Sequence, residues 1–152
     1  FRSMSDLKTR LKEHEGTIAY QKKVGYYRDG KFYVYKDSLG YPTIGYGHLL
    51  TYGESYPNGI NDAEAEKLLD RDIQTAIHNV ETLNIWLPTD WRDFMVIMVF
   101  QLGLGGVQKF QKMLKALREK NYPEAIKQAK DSLWYKQTPK RVDQMIAALT
   151  NK

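Results

Sequence analysis

The spacing of apolar residues at the start of the chain is that of a short helix. Leu7 and Leu11 are four positions apart, so both fall on one helical face among polar neighbours. Ser3-x-x-Asp6 has the composition of a helix start, and Gly16 that of a helix end. We therefore predict one amphipathic helix that ends at the glycine.

Between residues 17 and 50 the pattern shifts to aromatic and β-branched residues interrupted by glycine. Such residues favour strands, and the segment 26–35 predicts a hairpin that turns at Asp29-Gly30. Ser38-Leu39-Gly40 predicts a second turn. This part of the chain is therefore predicted to be a small antiparallel sheet.

A long amphipathic helix is predicted after a loop at residues 53–59. Asn61-x-x-Glu64 has the pattern of a capping box at its start, and Leu87-Pro88 is its expected end. Apolar residues recur at helical spacing between these points. They are Leu68, Leu69, Ile73, Ala76, Ile77 and Val80.

The rest of the chain is predicted to be helical. The predicted segments are 90–102, 110–120, 123–131 and 139–149. Pro123 and Pro139 suit a first helical turn, and Thr138 is the expected N-cap of the last helix. The candidate core residues are Phe94, Ile97, Met98, Leu114, Leu117, Val142, Met145, Ile146 and Leu149. Helix, small sheet, long helix and helical bundle together predict the α+β class.

The composition restricts the class of protein. A chain of 152 residues, 42% hydrophobic and 27% charged, is typical of one soluble globular domain, and no apolar run is long enough to span a membrane. The charged residues 1–12 do not resemble a signal peptide. Without cysteines the chain forms no disulfides or thiolate metal sites. Its three histidines are isolated from one another, which argues against a metal cluster.

The net charge of +5 favours anionic partners, which include nucleic acid, anionic membranes and the acidic polymers of a bacterial envelope. Lysine and arginine are spread over several predicted helices and form no known nucleic-acid-binding motif. We therefore expect no nucleic-acid partner and no membrane insertion, and we expect the isolated domain to be a monomer.

Two carboxylates and a hydroxyl are candidates for chemistry. Hydrolysis of a glycoside needs one protonated carboxylic acid and a second carboxylate. Glu15 lies in the last turn of the first helix, where the backbone dipoles disfavour its ionised form. Asp37 lies beside a turn that can keep it ionised, and the Thr43 hydroxyl can hold a water molecule. Taken singly, these residues have more ordinary interpretations. Glu15 would be a surface group, Asp37 a turn former and Thr43 a strand residue.

His48 is read first as a structural histidine, because a single unclustered histidine is more often bonded to a carboxylate than catalytic. The predicted long helix offers Asp70 and Asp72 as its candidate partners.

Read together, motifs along nearly the whole chain resemble the lysozymes of T-even phages, the phage-type muramidases. The motifs are Glu15-Gly16, Tyr35-Lys36-Asp37, Thr43-Ile44-Gly45-Tyr46-Gly47-His48-Leu49-Leu50, Asp62-Ala63-Glu64-Ala65-Glu66-Lys67-Leu68, Val99-Phe100-Gln101-Leu102-Gly103 and Trp134-Tyr135-Lys136-Gln137-Thr138-Pro139-Lys140-Arg141. The resemblance implies a single lysozyme domain with a mixed lobe at about residues 14–60, a linking helix at about 61–82 and a helical lobe at about 83–152, on which helix 4–15 packs. It also implies cleavage of peptidoglycan between N-acetylmuramic acid and N-acetylglucosamine at the β-1,4 bond, with inversion and without metal or organic cofactor.

The resemblance also assigns roles in the reaction. It implies that Glu15 is the general acid, that Asp37 assists the attack of water and that Thr43 positions this water. Arg141 would lie near Glu15 and balance its charge, and His48 would pair with Asp72 as part of the scaffold.

Five further residues would line the substrate cleft. They are Leu49, Phe100, Gln101, Met113 and Gln128. Met113 and Gln128 stand where serine and asparagine are common in the family, so the contacts with sugar and peptide are expected to differ here.

The main departure is an insertion. Glu15 and Asp37 are 22 positions apart by residue number, and the familiar members need only about half that. Residues 17–34 must therefore hold extra chain, and a hairpin would return it to its starting point. Strand extension, substrate contact and partner binding all remain open as its function.

Two settings and two classes of function remain open. The enzyme could be a free endolysin in the host cytoplasm that reaches the periplasm, or a lysozyme domain of a virion tail with other tail or baseplate proteins as partners. The insertion and the first residue, which is not methionine, favour the tail. The alternative class is a catalytically silent module that binds peptidoglycan or a phage protein, and retention of Glu15, Asp37 and Thr43 argues against it.

Overall fold

The structure is a computed structural model, and it describes residues 4–152. These residues form two compact units, which are residues 4–74 and Thr75–Lys152. We call them the N-terminal unit and the C-terminal unit. The predicted lobe boundaries, the single lysozyme domain and the packing of helix 4–15 on the helical lobe stay predictions.

The first helix, α1, covers Met4–Glu15 and confirms the predicted amphipathic segment. Ser3, half of its predicted start signal, lies outside the described residues. Leu7 and Leu11 are buried, and the helix ends where Gly16 adopts a φ of +115°. This left-handed value is one that glycine adopts without a steric penalty, so the sequence sets the end of the helix.

The second helix, α2, covers Ile18–Val24 and corrects the prediction of strand structure from residue 17. Thr17 caps it by accepting a hydrogen bond from the Tyr20 N–H at 3.2 Å, and Gly25 ends it with a φ of +90°. The buried residue of α2 is Gln21. A helix whose buried position is polar carries no apolar stripe, so its periodicity was not visible in the sequence.

Strands within residues 4–152 form two antiparallel sheets of three strands, whereas the sequence predicted one. The first sheet has the order β1 (Tyr27–Arg28), β2 (Lys31–Phe32), β6 (Ile60–Asn61), and the second has the order β3 (Tyr35–Lys36), β4 (Pro42–Ile44), β5 (His48–Leu49). The predicted turn between β1 and β2 is confirmed, with φ values of +50° at Asp29 and +75° at Gly30. Two positive φ values are the geometry of a tight hairpin turn.

The long helix, α3, covers Asp62–Thr82, and its capping box is confirmed. Glu64 N–H donates to Asn61 Oδ1 at 2.8 Å, and Asn61 N–H donates to Glu64 Oε1 at 3.1 Å. The helix ends before the predicted Leu87-Pro88 boundary, and Asn84 follows with a φ of +56°.

In the N-terminal unit α1 is joined to the first half of α3 by ion pairs. Lys8 Nζ lies 2.7 Å from Glu66 Oε2 and 2.8 Å from Asp70 Oδ1, and Lys12 also pairs with Glu66. The hydrogen bonds and charges of Asp70 and Glu66 raise the pKa of Lys8 against the opposing effect of burial. Asp70, one of the two candidate partners of His48, therefore pairs with Lys8.

The C-terminal unit is helical, as predicted, and has one more helix than the sequence indicated. Its remaining helices are α4 (Thr89–Gln108), α5 (Gln111–Arg118), α6 (Tyr122–Lys130), α7 (Leu133–Gln137) and α8 (Pro139–Ala147). The helical geometry of α4 breaks at Gly103, with φ +74° and ψ 165°, which agrees with the predicted end at 102. The short α7 was not predicted.

The core of the C-terminal unit confirms the predicted apolar positions with one exception, Ile146, which is partly exposed. The confirmed buried residues are Phe94, Ile97, Met98, Leu114, Leu117, Val142, Met145 and Leu149. Thr138 stands at the N-cap of α8, as predicted, although its side chain makes no capping hydrogen bond there and its hydroxyl donates instead to the Trp134 carbonyl at 3.0 Å.

Small antiparallel sheets followed by a helical unit confirm the predicted α+β class. Among residues 4–152, no helix has both the length and the apolar character that crossing a membrane would require.

Candidate active site

Glu15 ends α1 and is half-buried against a glycine of the second sheet's β4–β5 turn. A Cβ atom built on Gly47 would lie 2.6 Å from Glu15 Oε2, closer than any real side chain allows. Gly47 also has a φ of +77°. Both facts favour glycine here, and the bare backbone lets the Glu15 carboxyl group lie directly against the turn.

Asp37 directly follows β3 and organises the turn to β4. Its Oδ1 atom accepts hydrogen bonds from the Leu39 and Tyr41 N–H groups, each at 2.9 Å. Its backbone carbonyl accepts from the Gly40 N–H at 3.0 Å. Asp37 is therefore a turn former. This role is compatible with a catalytic one, because both side-chain hydrogen bonds use a single carboxylate oxygen.

Thr43 lies on β4, where its side chain is buried with 2% of its surface exposed. Its hydroxyl donates to the Tyr41 carbonyl at 3.0 Å. Across the sheet Thr43 is paired with Tyr35 on one side and with Leu49 on the other. A hydroxyl that has donated its proton still has lone pairs that can accept one from water.

The second sheet connects these groups within the N-terminal unit. It carries Thr43 on β4, places Asp37 at the end of β3 and ends β4 in the turn that contains Gly47, against which Glu15 lies. Leu49, on β5, is 47% exposed. This sheet and its turns therefore hold Asp37 and Thr43, and Glu15 of α1 lies against one of the turns.

His48 bridges two carboxylates. Its Nδ1 atom lies 2.8 Å from Asp72 Oδ2, and its Nε2 atom lies 3.0 Å from Glu54 Oε2. The hydrogen bond with Asp72 raises the pKa of His48 against the effect of burial, and Glu54 adds to the increase. The expected contact with Asp72 is thus present, and the ring is held where both nitrogens can donate.

Glu54 is a site residue that the sequence did not reveal. It accepts from the Thr51 N–H at 2.7 Å, the Thr51 hydroxyl at 2.9 Å and the Tyr56 hydroxyl at 2.7 Å, besides its contact with His48. Burial opposes ionisation, but these hydrogen bonds outweigh it and lower the pKa of Glu54 to about 2. A lone glutamate in a glycine-bounded loop gives no local signal of such a contact.

The other predicted binding residues lie in the C-terminal unit. Phe100 and Gln101 are half-buried on α4, and Gln101 Oε1 accepts a hydrogen bond from Trp134 Nε1 at 2.9 Å. Gln128 donates to Glu124 Oε2 at 3.0 Å. Arg141 is half-buried on α8. Its pairing with Glu15, and a cleft shared with the N-terminal residues, stay predictions.

Met113 and Gln128 line the same surface depression of about 400 Å³ in the C-terminal unit. Phe110 and Ser132 also line it. The side chain of Met113 has 0% of its surface exposed, so it lies beneath this depression and contributes its floor. Gln128 is the more accessible of the two predicted contacts.

The part of the chain that the structure describes, residues 4–152, contains no group of three or more histidine or carboxylate side chains with the placement of a metal site. Asp72 and Glu54 instead each form an ion pair with His48.

Comparison with known proteins gives one family and several relatives. Residues 29–152 match the family model described as Phage lysozyme. The chain is 31% identical to probable T4-type lysozyme 2 of Dictyostelium discoideum over 171 aligned positions, which cover 95% of this chain and 93% of that protein. It is also 31% identical to probable T4-type lysozyme 1 of the same organism, with coverage of 78% and 86%.

A third relative has a different architecture. The chain is 32% identical to the pre-baseplate central spike protein Gp5 of Enterobacteria phage T4 over 138 positions, which are 74% of this chain and 24% of that protein. The family match begins after Glu15 and α2, whereas the alignment with the first D. discoideum relative covers nearly the whole chain.

Proposed function

Because the chain belongs to the phage lysozyme family, we propose that it hydrolyses the β-1,4 bond between N-acetylmuramic acid and N-acetylglucosamine in bacterial peptidoglycan, with Glu15 as general acid and Asp37 and Thr43 directing a water molecule. A lysozyme-type glycoside hydrolase is what the family and its T4-type relatives support. The observation that supports the finer assignment is that one small sheet carries Thr43 and positions Asp37 at the end of β3, while Glu15 lies against the β4–β5 turn of the same sheet.

Glu15 supplies the proton in this proposal. The leaving oxygen of a glycoside departs easily only if an acid protonates it as the bond breaks. Glu15 is half-buried at the carboxyl end of α1, where the helix dipole disfavours the carboxylate. Its carboxyl group lies directly against Gly47, which supports a defined position for the acid.

Asp37 and Thr43 hold the attacking water. The two backbone N–H groups on Oδ1 support a charged Asp37 carboxylate. Its second oxygen, Oδ2, is the acceptor for a proton of the water, while the Thr43 hydroxyl, whose own proton is held by the Tyr41 carbonyl, accepts the other. The water then presents its lone pair to the sugar, and the product has the inverted configuration.

Leu49, Phe100, Gln101, Met113 and Gln128 are proposed to contact the glycan, with Arg141 beside Glu15 and the His48–Asp72 pair as scaffold. The net charge of +5 suits a bacterial envelope with anionic polymers. The proposal invokes neither metal nor organic cofactor, since proton transfer and water attack need only the residues named above.

The setting follows from the relatives only as a proposal. Similarity to a phage spike protein supports action in a virion tail with other baseplate proteins as partners, and similarity to the D. discoideum lysozymes supports a free enzyme. A free phage enzyme would pass from the host cytoplasm to the periplasm.

The deciding experiment measures reducing ends released from purified peptidoglycan. Glu15→Gln keeps the shape of the side chain and removes the acid, so activity should fall on the order of 10²- to 10⁴-fold. Glu13→Gln is the matched control, because Glu13 is an exposed glutamate of the same helix. Equal activity of the two variants would refute the role of Glu15.

Two further readouts separate the remaining alternatives. If the unmodified protein releases no reducing ends but cosediments with peptidoglycan, it is a binding module rather than an enzyme. If it is active and the anomer first formed shows retention, Asp37 acts as a nucleophile and the water-directing role of Thr43 is wrong.

A further inference from the structure

The inserted helix α2 buries a polar side chain beside the candidate active site. Gln21 has 1% of its surface exposed, and it is the buried residue of α2. Burying an amide is unfavourable unless its hydrogen bonds are made in the protein. A glutamine at this position therefore needs an explanation in its contacts rather than in apolar packing.

The amide nitrogen of Gln21 joins two separate segments. Nε2 donates to the Gly16 carbonyl at 2.9 Å and to the Gly45 carbonyl at 2.9 Å. A primary amide has two N–H groups, so both bonds are satisfied at once. Gly16 directly follows Glu15, and Gly45 lies two residues before Gly47. One side chain thus links the end of α1, which carries Glu15, to the β4–β5 turn against which the Glu15 carboxyl group lies.

The orientation of this amide follows from its neighbours. The Oε1 atom is buried and makes no hydrogen bond with the described residues. Exchanging oxygen and nitrogen would place an acceptor against two carbonyl acceptors, which is worse. Within residues 4–152, Gln21 Oε1 is therefore left without a hydrogen bond while Nε2 donates two. An unsatisfied buried oxygen is unfavourable, and such a cost is expected where a precise placement is required.

The backbone of Gln21 is hydrogen-bonded on both sides of the residue. Gln21 N–H donates to the Thr17 carbonyl at 2.9 Å, and the Gln21 carbonyl accepts from the Tyr26 N–H at 2.8 Å. Thr17 also caps α2 through its hydroxyl. The side chain therefore projects from a helix that is closed at its start by Thr17 and is bonded at its end to Tyr26, the residue before β1.

The placement matters because the fit around Glu15 is close. A single added carbon on Gly47 would come within 2.6 Å of Oε2, so the turn and the carboxyl group are in direct contact. A small shift of the turn relative to the end of α1 would move the acid or release it. Misplacement of a reacting group by about 1 Å can cost on the order of a hundredfold in rate.

We propose that Gln21 is a positioning residue of the active site, which holds the Gly16 and Gly45 segments so that Glu15 is fixed against Gly47. The inserted segment 17–34 is on this account part of the catalytic scaffold. This inference rests on the general-acid role proposed for Glu15. The competing explanation is that Gln21 only anchors the insertion and affects stability alone.

The test is Gln21→Met, which keeps the length of the side chain and removes both donors. The initial rate of reducing-end release should show kcat lowered about ten- to a hundredfold, with KM within twofold of the unmodified protein. The control is Val80→Ala, a buried substitution on α3 outside the assigned site residues, which is expected to lower stability. Both variants are measured at a temperature at which unfolding curves show them folded.

A second variant covers the case in which Gln21→Met does not fold. Thr17→Ala removes the cap of α2 and so loosens the helix that carries Gln21, without changing the Gln21 side chain itself. It should lower kcat severalfold in the same direction with KM unchanged. The inference is overturned if kcat of Gln21→Met stays within twofold of the Val80→Ala value, or if the first variant does not fold and Thr17→Ala leaves kcat unchanged.

The two proposals fail in different ways. An intact protein without activity overturns the proposed function and the role of Gln21 with it. An active intact protein whose kcat is indifferent to these substitutions overturns the role of Gln21 alone.

Discussion

Asp37 and Thr43 are joined through the backbone of one residue between them. Asp37 Oδ1 accepts from the Tyr41 N–H at 2.9 Å, and the Thr43 hydroxyl donates to the Tyr41 carbonyl at 3.0 Å. The two side chains are therefore held relative to each other without touching. In the proposed mechanism the attacking water lies between these two side chains.

Asp37→Asn separates charge from turn formation. Asparagine keeps an oxygen for the Leu39 and Tyr41 N–H groups, so stability should stay close to that of the unmodified protein, whereas activity should fall on the order of a hundredfold or more because the charged acceptor is lost. Asp37→Ala should lose the same activity and also about 1 kcal/mol of unfolding free energy. Urea unfolding and reducing-end kinetics measure the two effects. Equal stability of both variants would contradict the role of Oδ1 in the turn.

Gly47→Ala should damage the site beyond the backbone cost. Alanine at a positive φ costs about 1–2 kcal/mol of stability, and here its Cβ would also displace the Glu15 carboxyl group. Activity should fall more than about tenfold. Gly53→Ala is the matched control, because Gly53 has a φ of +88° and no atom within 4 Å of an added Cβ. If both variants lose the same activity, the contact with Glu15 does not matter for catalysis.

His48 should make stability depend on pH near neutrality. Its pKa is raised in the folded protein, first by the hydrogen bond with Asp72. The stabilisation is therefore full below the unfolded pKa of 6.5 and is lost as the pH rises through the higher folded pKa. The stability difference between the unmodified protein and His48→Gln should be larger at about pH 5.5 than at about pH 9.

Chemical unfolding at several pH values checks this expectation. His78→Gln is the control, because His78 is an exposed histidine on α3. A stability loss of His48→Gln that does not change with pH would show that His48 stabilises the fold by packing and not through its positive charge.

Glu54 should contribute to acid sensitivity in the opposite sense. Its folded pKa is lowered from 4.5 to about 2, against burial, by hydrogen bonds from Thr51, Tyr56 and His48. The stabilisation is therefore present above about pH 4.5 and is lost as the pH falls towards about 2. Glu54→Gln should lose on the order of 1–2 kcal/mol at neutral pH and show a flatter decline in acid.

The acid-unfolding profile of Glu54→Gln is compared with that of Glu119→Gln, an exposed glutamate at the end of α5. Identical profiles for both variants would remove Glu54 from the acid-sensitive groups.

The sequence predicted best where the cause is local. The Asn61–Glu64 capping box and the Asp29-Gly30 turn depend on side chains within a few positions, and both are present as predicted. The helix α2 escaped prediction because its buried residue, Gln21, is polar. Its partners Gly16 and Gly45 are visible only once the chain has folded.

The candidate site shows the same limit. His48 and Asp72 could be paired through the resemblance, since both belong to its expected scaffold, and they lie 2.8 Å apart. Glu54 joins the same ring from a loop for which the sequence indicates no interaction. Thr138 stands at the N-cap of α8 as predicted, but its hydroxyl donates to the carbonyl of Trp134 in α7, a helix that the sequence did not predict.

The pairing of β6 with β2 bears on attempts to shorten this chain. The inserted hairpin supplies both other strands of that sheet, and Phe32 and Ile60 are paired and buried across it. A trimmed protein that joined residue 16 to residue 35 would remove the two strands that share a sheet with β6 and uncover the apolar side chain of Ile60. A less stable domain, rather than an unchanged smaller one, is the outcome to expect from removing this segment.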